Sequence, residues 1–258
     1  MQLSDAGCIG VFVLKTIPTY SSPILSVDSL VHYRKKQTGG ENTMTGNFIR
    51  NEQFNYISKQ AALMRQSTKQ HLAPDVRESL LALCAERILT CIPHLSAEQS
   101  RLLDFTSLTT SEEYDQALSR LASCLLPFPT VTEQQLKKLF PKRKKLKLPA
   151  LADFDLERTT YLSWVDSRSN RKYLLYVLDG KLEGIECTFS PNIIQNTCSI
   201  CRHQEQVTMF STITKERKAN NPDYYRAIGN LICTDSAVCN RNITDTEHLE
   251  HLFRDALT

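Results

Sequence analysis

"TCSICRH" at residues 197–203 and "LICTDSAVCNR" at residues 231–241 put four cysteines into two pairs. Two residues separate Cys198 from Cys201, and five separate Cys233 from Cys239. A two-residue gap lets both thiolates of a pair reach one tetrahedral ion, the arrangement zinc prefers. The longer gap closes only if Asp235 and Ser236 make a turn, which an Asp-Ser pair favours. A C-x-x-C knuckle, a hairpin, a cysteine at a strand end and a cysteine just before a helix follow in the order of a treble-clef zinc finger. Peptide N–H groups oriented near the knuckle and the helix start stabilise thiolates on the metal. One structural Zn2+ held by Cys198, Cys201, Cys233 and Cys239 is the leading reading. Three rivals are weaker. A thioredoxin-like redox pair belongs at a helix start beside a parallel-sheet unit. Two disulfides conflict with the unpaired thiols elsewhere. A catalytic zinc keeps an open position that four thiolates do not leave. His203, His248 and His251 read as solvated or packed rather than as ligands.

Working outward, the segments around the first pair have strand character. "TTYLSWV", "RKYLLYVL" and "LEGIECTFS" are rich in aromatic, β-branched and leucine residues, and Asp179-Gly180 joins the last two as a two-residue hairpin turn. "QVTMFSTIT" follows the first pair and "YYRAIGNLIC" leads into the second. The chain ends in "TDTEHLEHLFRDALT", an amphipathic helix with Leu249, Leu252, Phe253 and Leu257 inward.

The earlier half reads as helix. "FIRNEQFNYISKQAALMRQSTKQH" carries Phe54, Ile57, Ala61 and Met64 at steps of three and four. "PDVRESLLALCAERILTCIP" starts with Pro74 in the first turn and suggests one face of Val76, Leu80, Leu83, Ile88 and Cys91. Ser96 with Gln99, and Thr110 with Glu113, have capping-box spacing. Tyr114, Leu118, Leu121 and Leu125 form the stripe of the helix that follows. Short loops and single apolar faces require the helices to pack on one another. The expected organisation is α+β: a disordered or spurious extension over residues 1–43 ahead of a start at Met44, and an N-terminal four-helix bundle over 44–126. A proline-rich basic junction over 127–149, with a short helix from Thr132 to Phe140, leads into an α/β domain over 150–258. The finger occupies about 195–258.

Composition narrows the function classes. The chain has 258 residues, 41% hydrophobic and 23% charged, with a formal net charge of +3. Bulk charge of that size makes no case for nucleic acid. No stretch approaches the roughly 20 apolar residues of a membrane span. "DAGC" resembles a lipoprotein cleavage site, but Cys8 comes too early for a basic region and an apolar segment to precede it. Nine cysteines are present; Cys84, Cys91 and Cys124 fall on apolar helix faces as small hydrophobes. Unpaired thiols of this kind fit a reducing, cytoplasmic setting. With eight glycines, the chain has no phosphate-binding or dinucleotide glycine motif and no nucleophile elbow, so a binding module rather than an enzyme is expected, with no small-molecule substrate. Basic residues cluster at Lys142, Arg143, Lys144, Lys145 and Lys147, at Arg168, Arg171 and Lys172, and at Lys215, Arg217, Lys218 and Arg226 beside Tyr224 and Tyr225. The first run is a solvated linker face or a phosphate-contacting one, the second stands at a strand entrance, and the third offers aromatic and arginine interface anchors unless Tyr224 or Tyr225 packs inward.

From "FPKRKKLKLPALADFDL" through "YLSWVDSRSNRKYLLY", "CSIC", "ICTDSAVCNRNITD" and the last helix, the chain resembles the fusidic-acid-resistance proteins of FusB/FusC type and the related elongation factor G-binding proteins of Gram-positive bacteria. The resemblance covers nearly everything after Met44. It implies a helical bundle followed by a zinc-finger domain that binds elongation factor G and promotes its release from the ribosome. In resistance members this clears complexes stalled by fusidic acid; a housekeeping version of the same activity fits equally. Cys198, Cys201, Cys233 and Cys239 match the family's metal ligands, and Phe253 matches a partner-contacting aromatic. Ile228 and Leu231 stand where resistance members tend to carry a lysine and a tyrosine. Tyr225, Arg226, Lys215 and Lys218 complete the expected partner-binding set. The expected partners are elongation factor G and, transiently, the ribosome, with the protein acting as a monomer. The alternative is a zinc-finger protein that binds RNA or the ribosome directly.

Overall fold

Pro74 at a first-turn position and three reciprocal side-chain caps fix where the helices begin. Ser96 Oγ accepts from Gln99 N at 3.2 Å while Gln99 Oε1 accepts from Ser96 N at 2.9 Å. Thr110 with Glu113 and Thr132 with Gln135 repeat the device. Each box satisfies amide donors that the first helical turn leaves open. The helices are α1 (Asn51–Lys69), α2 (Pro74–Thr90), α3 (Ala97–Leu102), α4 (Ser111–Ala122) and α5 (Glu133–Leu139). This computed structural model describes residues 46–258 except 71, 142, 144, 145, 147, 148, 150–152, 167 and 216–224. The expectations for residues 1–43, for Cys8 and Met44, for Lys142, Lys144, Lys145 and Lys147, and for Arg217, Lys218 and Tyr224 lie outside the described residues.

Phe54, Ile57, Ala61 and Met64 of α1 are buried, as their spacing predicts, and pack with Cys84 and Ile88 of α2 and Tyr114, Ala117 and Leu121 of α4. The predicted face of α2 is partly wrong. Val76 and Leu83 are exposed, and the buried line runs through Cys84, Ile88 and Ile92 with Leu80, Leu81 and Cys91 half-buried beside it. The step of five between Leu83 and Ile88 breaks a helical period of 3.6, so those two residues cannot share a stripe.

After a 3₁₀ turn at Leu156–Arg158 the chain builds β1 (Leu162–Asp166), β2 (Arg171–Leu178), β3 (Lys181–Phe189), β4 (Ile194–Thr197), β5 (Gln204–Ile213) and β6 (Ala227–Cys233). All pairings are antiparallel. Both β3 and β4 run along β5: Phe189 opposes Phe210, and Ile194 opposes Val207. On its other edge β5 pairs with β6. Asp179 and Gly180 close the β2–β3 hairpin, both at positive φ (50° and 77°), as that turn requires. The last elements are α6 (Ser236–Asn242) and α7 (Glu247–Leu257).

β2 shows why the sheet needs cover on both sides. Leu174, Tyr176 and Leu178 face a cluster completed by Ile185, Phe210, Ile232, the four paired cysteines and Leu249, Leu252 and Phe253 of α7. Tyr173 and Leu175 face a second cluster with Trp164, Phe128, Val131, Leu136 and Phe140. The proline-rich segment before the sheet is therefore a lid as well as a connection. Phe140 sits edge-on to Tyr173 at 4.9 Å, and Phe128 N donates to Leu156 O at 2.7 Å. Gly184 lies beneath it, where a Cβ would come within 2.7 Å of the Phe140 ring. Arg143 donates to Glu186 through Nε and Nη2 at 2.8 and 2.5 Å, and Arg171 pairs with the same carboxylate. Those two arginines are tied into the sheet and do not form an open basic face. Among the described residues no helix is long and apolar enough to cross a membrane.

Candidate metal centre

The turn joining β4 to β5 presents the first cysteine pair. Cys198 N donates to His203 O at 2.9 Å and Arg202 N to Cys198 O at 3.0 Å, with Arg202 at φ 63°. These bonds bend the backbone so that both thiols turn inward. Ser199 N donates to Leu231 O at 2.7 Å, fastening the turn to β6, whose last residue is Cys233. Cys239 sits inside α6, not just ahead of a helix as its sequence position suggested. Asp235 is the reason: its Oδ1 accepts from Ala237 N at 2.8 Å and caps a helix that begins at Ser236, ahead of Cys239.

The four sulfurs lie within 4.8 Å of one another and all four residues are buried. Cys198 Sγ and Cys239 Sγ are 3.8 Å apart, as are Cys201 Sγ and Cys233 Sγ. Metal–sulfur bonds of about 2.3 Å in a tetrahedron give sulfur–sulfur edges of about 3.8 Å. The arrangement therefore fits one tetrahedral ion of zinc size, and a disulfide joins none of the four. Thiols of Cys201, Cys233 and Cys239 donating to Cys198 hold its pKa far below the ordinary thiol value; donation to Cys198 holds Cys239 well above it. Four sulfurs that can share negative charge only through intervening protons are a ready seat for a divalent cation, which displaces those protons. His203 is not a ligand: its Nδ1 lies 2.9 Å from Cys201 O. His248 and His251 are exposed on α7.

Three neighbours of the cluster escaped the sequence reading. The fully buried Tyr161 hydroxyl has no nitrogen or oxygen partner; burial first, then the adjacent Cys239 sulfur, keeps its pKa well above the usual value. Lys172, grouped by sequence with surface arginines, is 1% exposed. Its phase with Leu174, Tyr176 and Leu178 on β2 carried that information, because alternate strand residues share a face. Asn240, next to a ligand, holds α6 in place. Its Oδ1 accepts from Thr160 N and Tyr161 N at 2.8 and 3.1 Å, and its Nδ2 donates to Tyr161 O at 2.9 Å. The Asn240 carbonyl accepts from Asn51 and Asn55 of α1 at 2.7 and 2.8 Å.

The expected partner-binding residues do not form one patch. Phe253 is fully buried, 5.6 Å from the Tyr176 ring. Ile228 opposes Thr212 and Leu231 opposes Met209, so the two stand on opposite faces of β6, each half-buried. Lys215, Tyr225 and Arg226 are exposed where β5 and β6 diverge, and Tyr225 is 67% accessible. Of the scattered cysteines, Cys187 is pushed up to about 12 and Cys91 to about 11, both by burial, as expected for packed, unreactive thiols.

Residues 140–256 match the family described as FBP C-terminal treble-clef zinc-finger, and residues 48–129 match that described as elongation factor G-binding protein, N-terminal. No curated protein matches the chain. Among solved structures it is similar to that of the fusidic acid resistance protein FusC, with a TM-score of 0.68 and 27% identity over 82% of this chain and 98% of that one. With both halves matched in order, and four cysteines gathered where a finger requires them, the chain belongs to the FusB/FusC-type fusidic acid resistance and elongation factor G-binding protein family.

Proposed function

We propose that this protein binds elongation factor G and promotes its release from the ribosome, without catalysing a reaction itself. The observation that carries this reading is the succession of the two family matches, over residues 48–129 and 140–256. In this reading the ion is Zn2+, the turn, strands and α6 form a treble clef, and α1–α4 are the family's four-helix bundle. Zinc held by four thiolates has a closed shell and serves as a structural clamp. The sheet it anchors presents exposed Met209, Ile213 and Ala227 beside half-buried Leu231, bordered by Tyr225, Arg226 and Lys215. Mixed apolar, aromatic and arginine surface of this kind suits a protein partner. Release requires tighter binding to the factor's departing conformation than to its stalled one, and each tenfold preference is worth about 1.4 kcal/mol. The protein acts as a monomer in the cytoplasm, and resistance to fusidic acid follows where that preference is large enough.

Titration of purified elongation factor G against the full chain tests the reading directly. Saturable binding is expected, at least tenfold weaker after Cys198→Ala with Cys233→Ala. Absence of binding would overturn it; salt-steep capture of ribosomal RNA instead would favour the RNA alternative.

A further inference from the structure

Lys172 is a buried cation with no carboxylate partner among the described residues. Its ammonium donates to the carbonyls of Cys233 and Thr234, both at 3.2 Å, and lies 4.9 Å from the centre of the Phe210 ring. Two carbonyls and a ring face are all electron-rich, so the groups that Nζ touches directly suit a positive charge. Burying an ammonium costs several kcal/mol unless an opposite charge lies near, so this lysine needs an anion. Burial pulls the Lys172 pKa below the usual lysine value, and the thiols of Cys239 and Cys233, ahead of Cys187 and the exposed Asp235, act against that pull. Four thiolates around a divalent ion carry a net charge of two minus, which also needs compensation in a buried site. Each defect answers the other.

We propose that Lys172 is the counter-ion of the metal centre: a positioning residue whose fixed charge offsets the tetrathiolate and whose two hydrogen bonds hold the backbone at Cys233. The proposal rests on the metal reading above. Lysine reaches this place because β2 threads it through the sheet in phase with the inner core, directly opposite Val165 on one side and Cys187 on the other. Groups that support metal ligands from behind typically change affinity by 10–100-fold when removed.

The test uses the full chain and two neutral variants, Lys172→Met, which keeps the shape, and Lys172→Gln, which keeps the hydrogen-bond donors. Zinc affinity is measured by competition with a chromophoric chelator, and denaturant midpoints are measured with and without zinc. The expected result is at least about tenfold weaker zinc binding in both variants. Lys172→Met is also expected to lower the midpoint of the zinc-loaded protein more than that of the zinc-free one, because only the loaded cluster carries the full charge of four thiolates. Affinity within twofold of the parent in either variant would overturn the proposal. So would equal destabilisation of both forms, or failure of both variants to fold, since each marks a packing role. A parent chain that takes up no zinc overturns the metal reading itself, an outcome distinct from variants that bind as the parent does.

Discussion

The two halves of the molecule are stable for different reasons. The N-terminal helices bury Ile57, Met64, Cys84, Ile88 and Leu121 in an apolar core, and their caps are local. The C-terminal half has an apolar core as well, but at its centre stand four thiols, a lysine and a tyrosine hydroxyl. Apolar burial is non-directional and survives small adjustments, whereas a polar centre holds only when each member is satisfied. The contrast assigns robustness to one half and conditional order to the other.

Removing the proposed zinc ion should expose this contrast most strongly. In isolated zinc fingers the ion contributes about 10–16 kcal/mol of apparent folding free energy. Stripping it with a thiol-reactive mercurial and a chelator should abolish hydrogen-exchange protection in β4–β6 and α6, while α2 and α4 stay protected. Equal loss in both halves, or none, would break the distinction. Ile88→Ala acts in the opposite sense. It leaves a cavity in the helical core costing about 2–5 kcal/mol by chemical denaturation, with zinc content per chain unchanged. Loss of zinc in that variant would mean that the halves cannot be separated energetically.

The smallest effect concerns pH. Arg254 donates to Asp179 through both Nη atoms at 2.7 and 3.0 Å, and these bonds hold the Asp179 carboxyl below the ordinary value of 3.8. A folded-state pKa below the unfolded one adds stability that is present above about pH 4 and vanishes as pH falls through the folded value. Both side chains are about half exposed, so solvent screening limits the pair to a few tenths of a kcal/mol. Asp179→Asn should therefore lower the denaturant midpoint slightly at pH 7, and by progressively less as pH falls below about 4.

How much of this was legible in the sequence follows the range of the signals. Caps, the Asp179-Gly180 turn and the Cys198–Cys201 knuckle depend on neighbours a few residues away, and each stands where expected. The grouping of the four cysteines was readable too, because cysteine pairs announce themselves by spacing. Signals needing the third dimension were misread or missed. Prolines marked 127–149 as a junction, yet Leu136 and Phe140 cover a sheet face whose existence no local pattern reports. Lys172 looked like a surface base because charge is a strong prior, although strand alternation placed it inside. Phe253 was assigned both inward packing and partner contact; the fully buried ring satisfies the first.

Asn240 carries a last consequence. Its side chain grips the entry to the sheet, and its carbonyl is held by two asparagines of the opening helix. Residues nearly two hundred positions apart are thus joined at one point. A shift of the short helix that carries Cys239 therefore bears directly on α1, through a single residue.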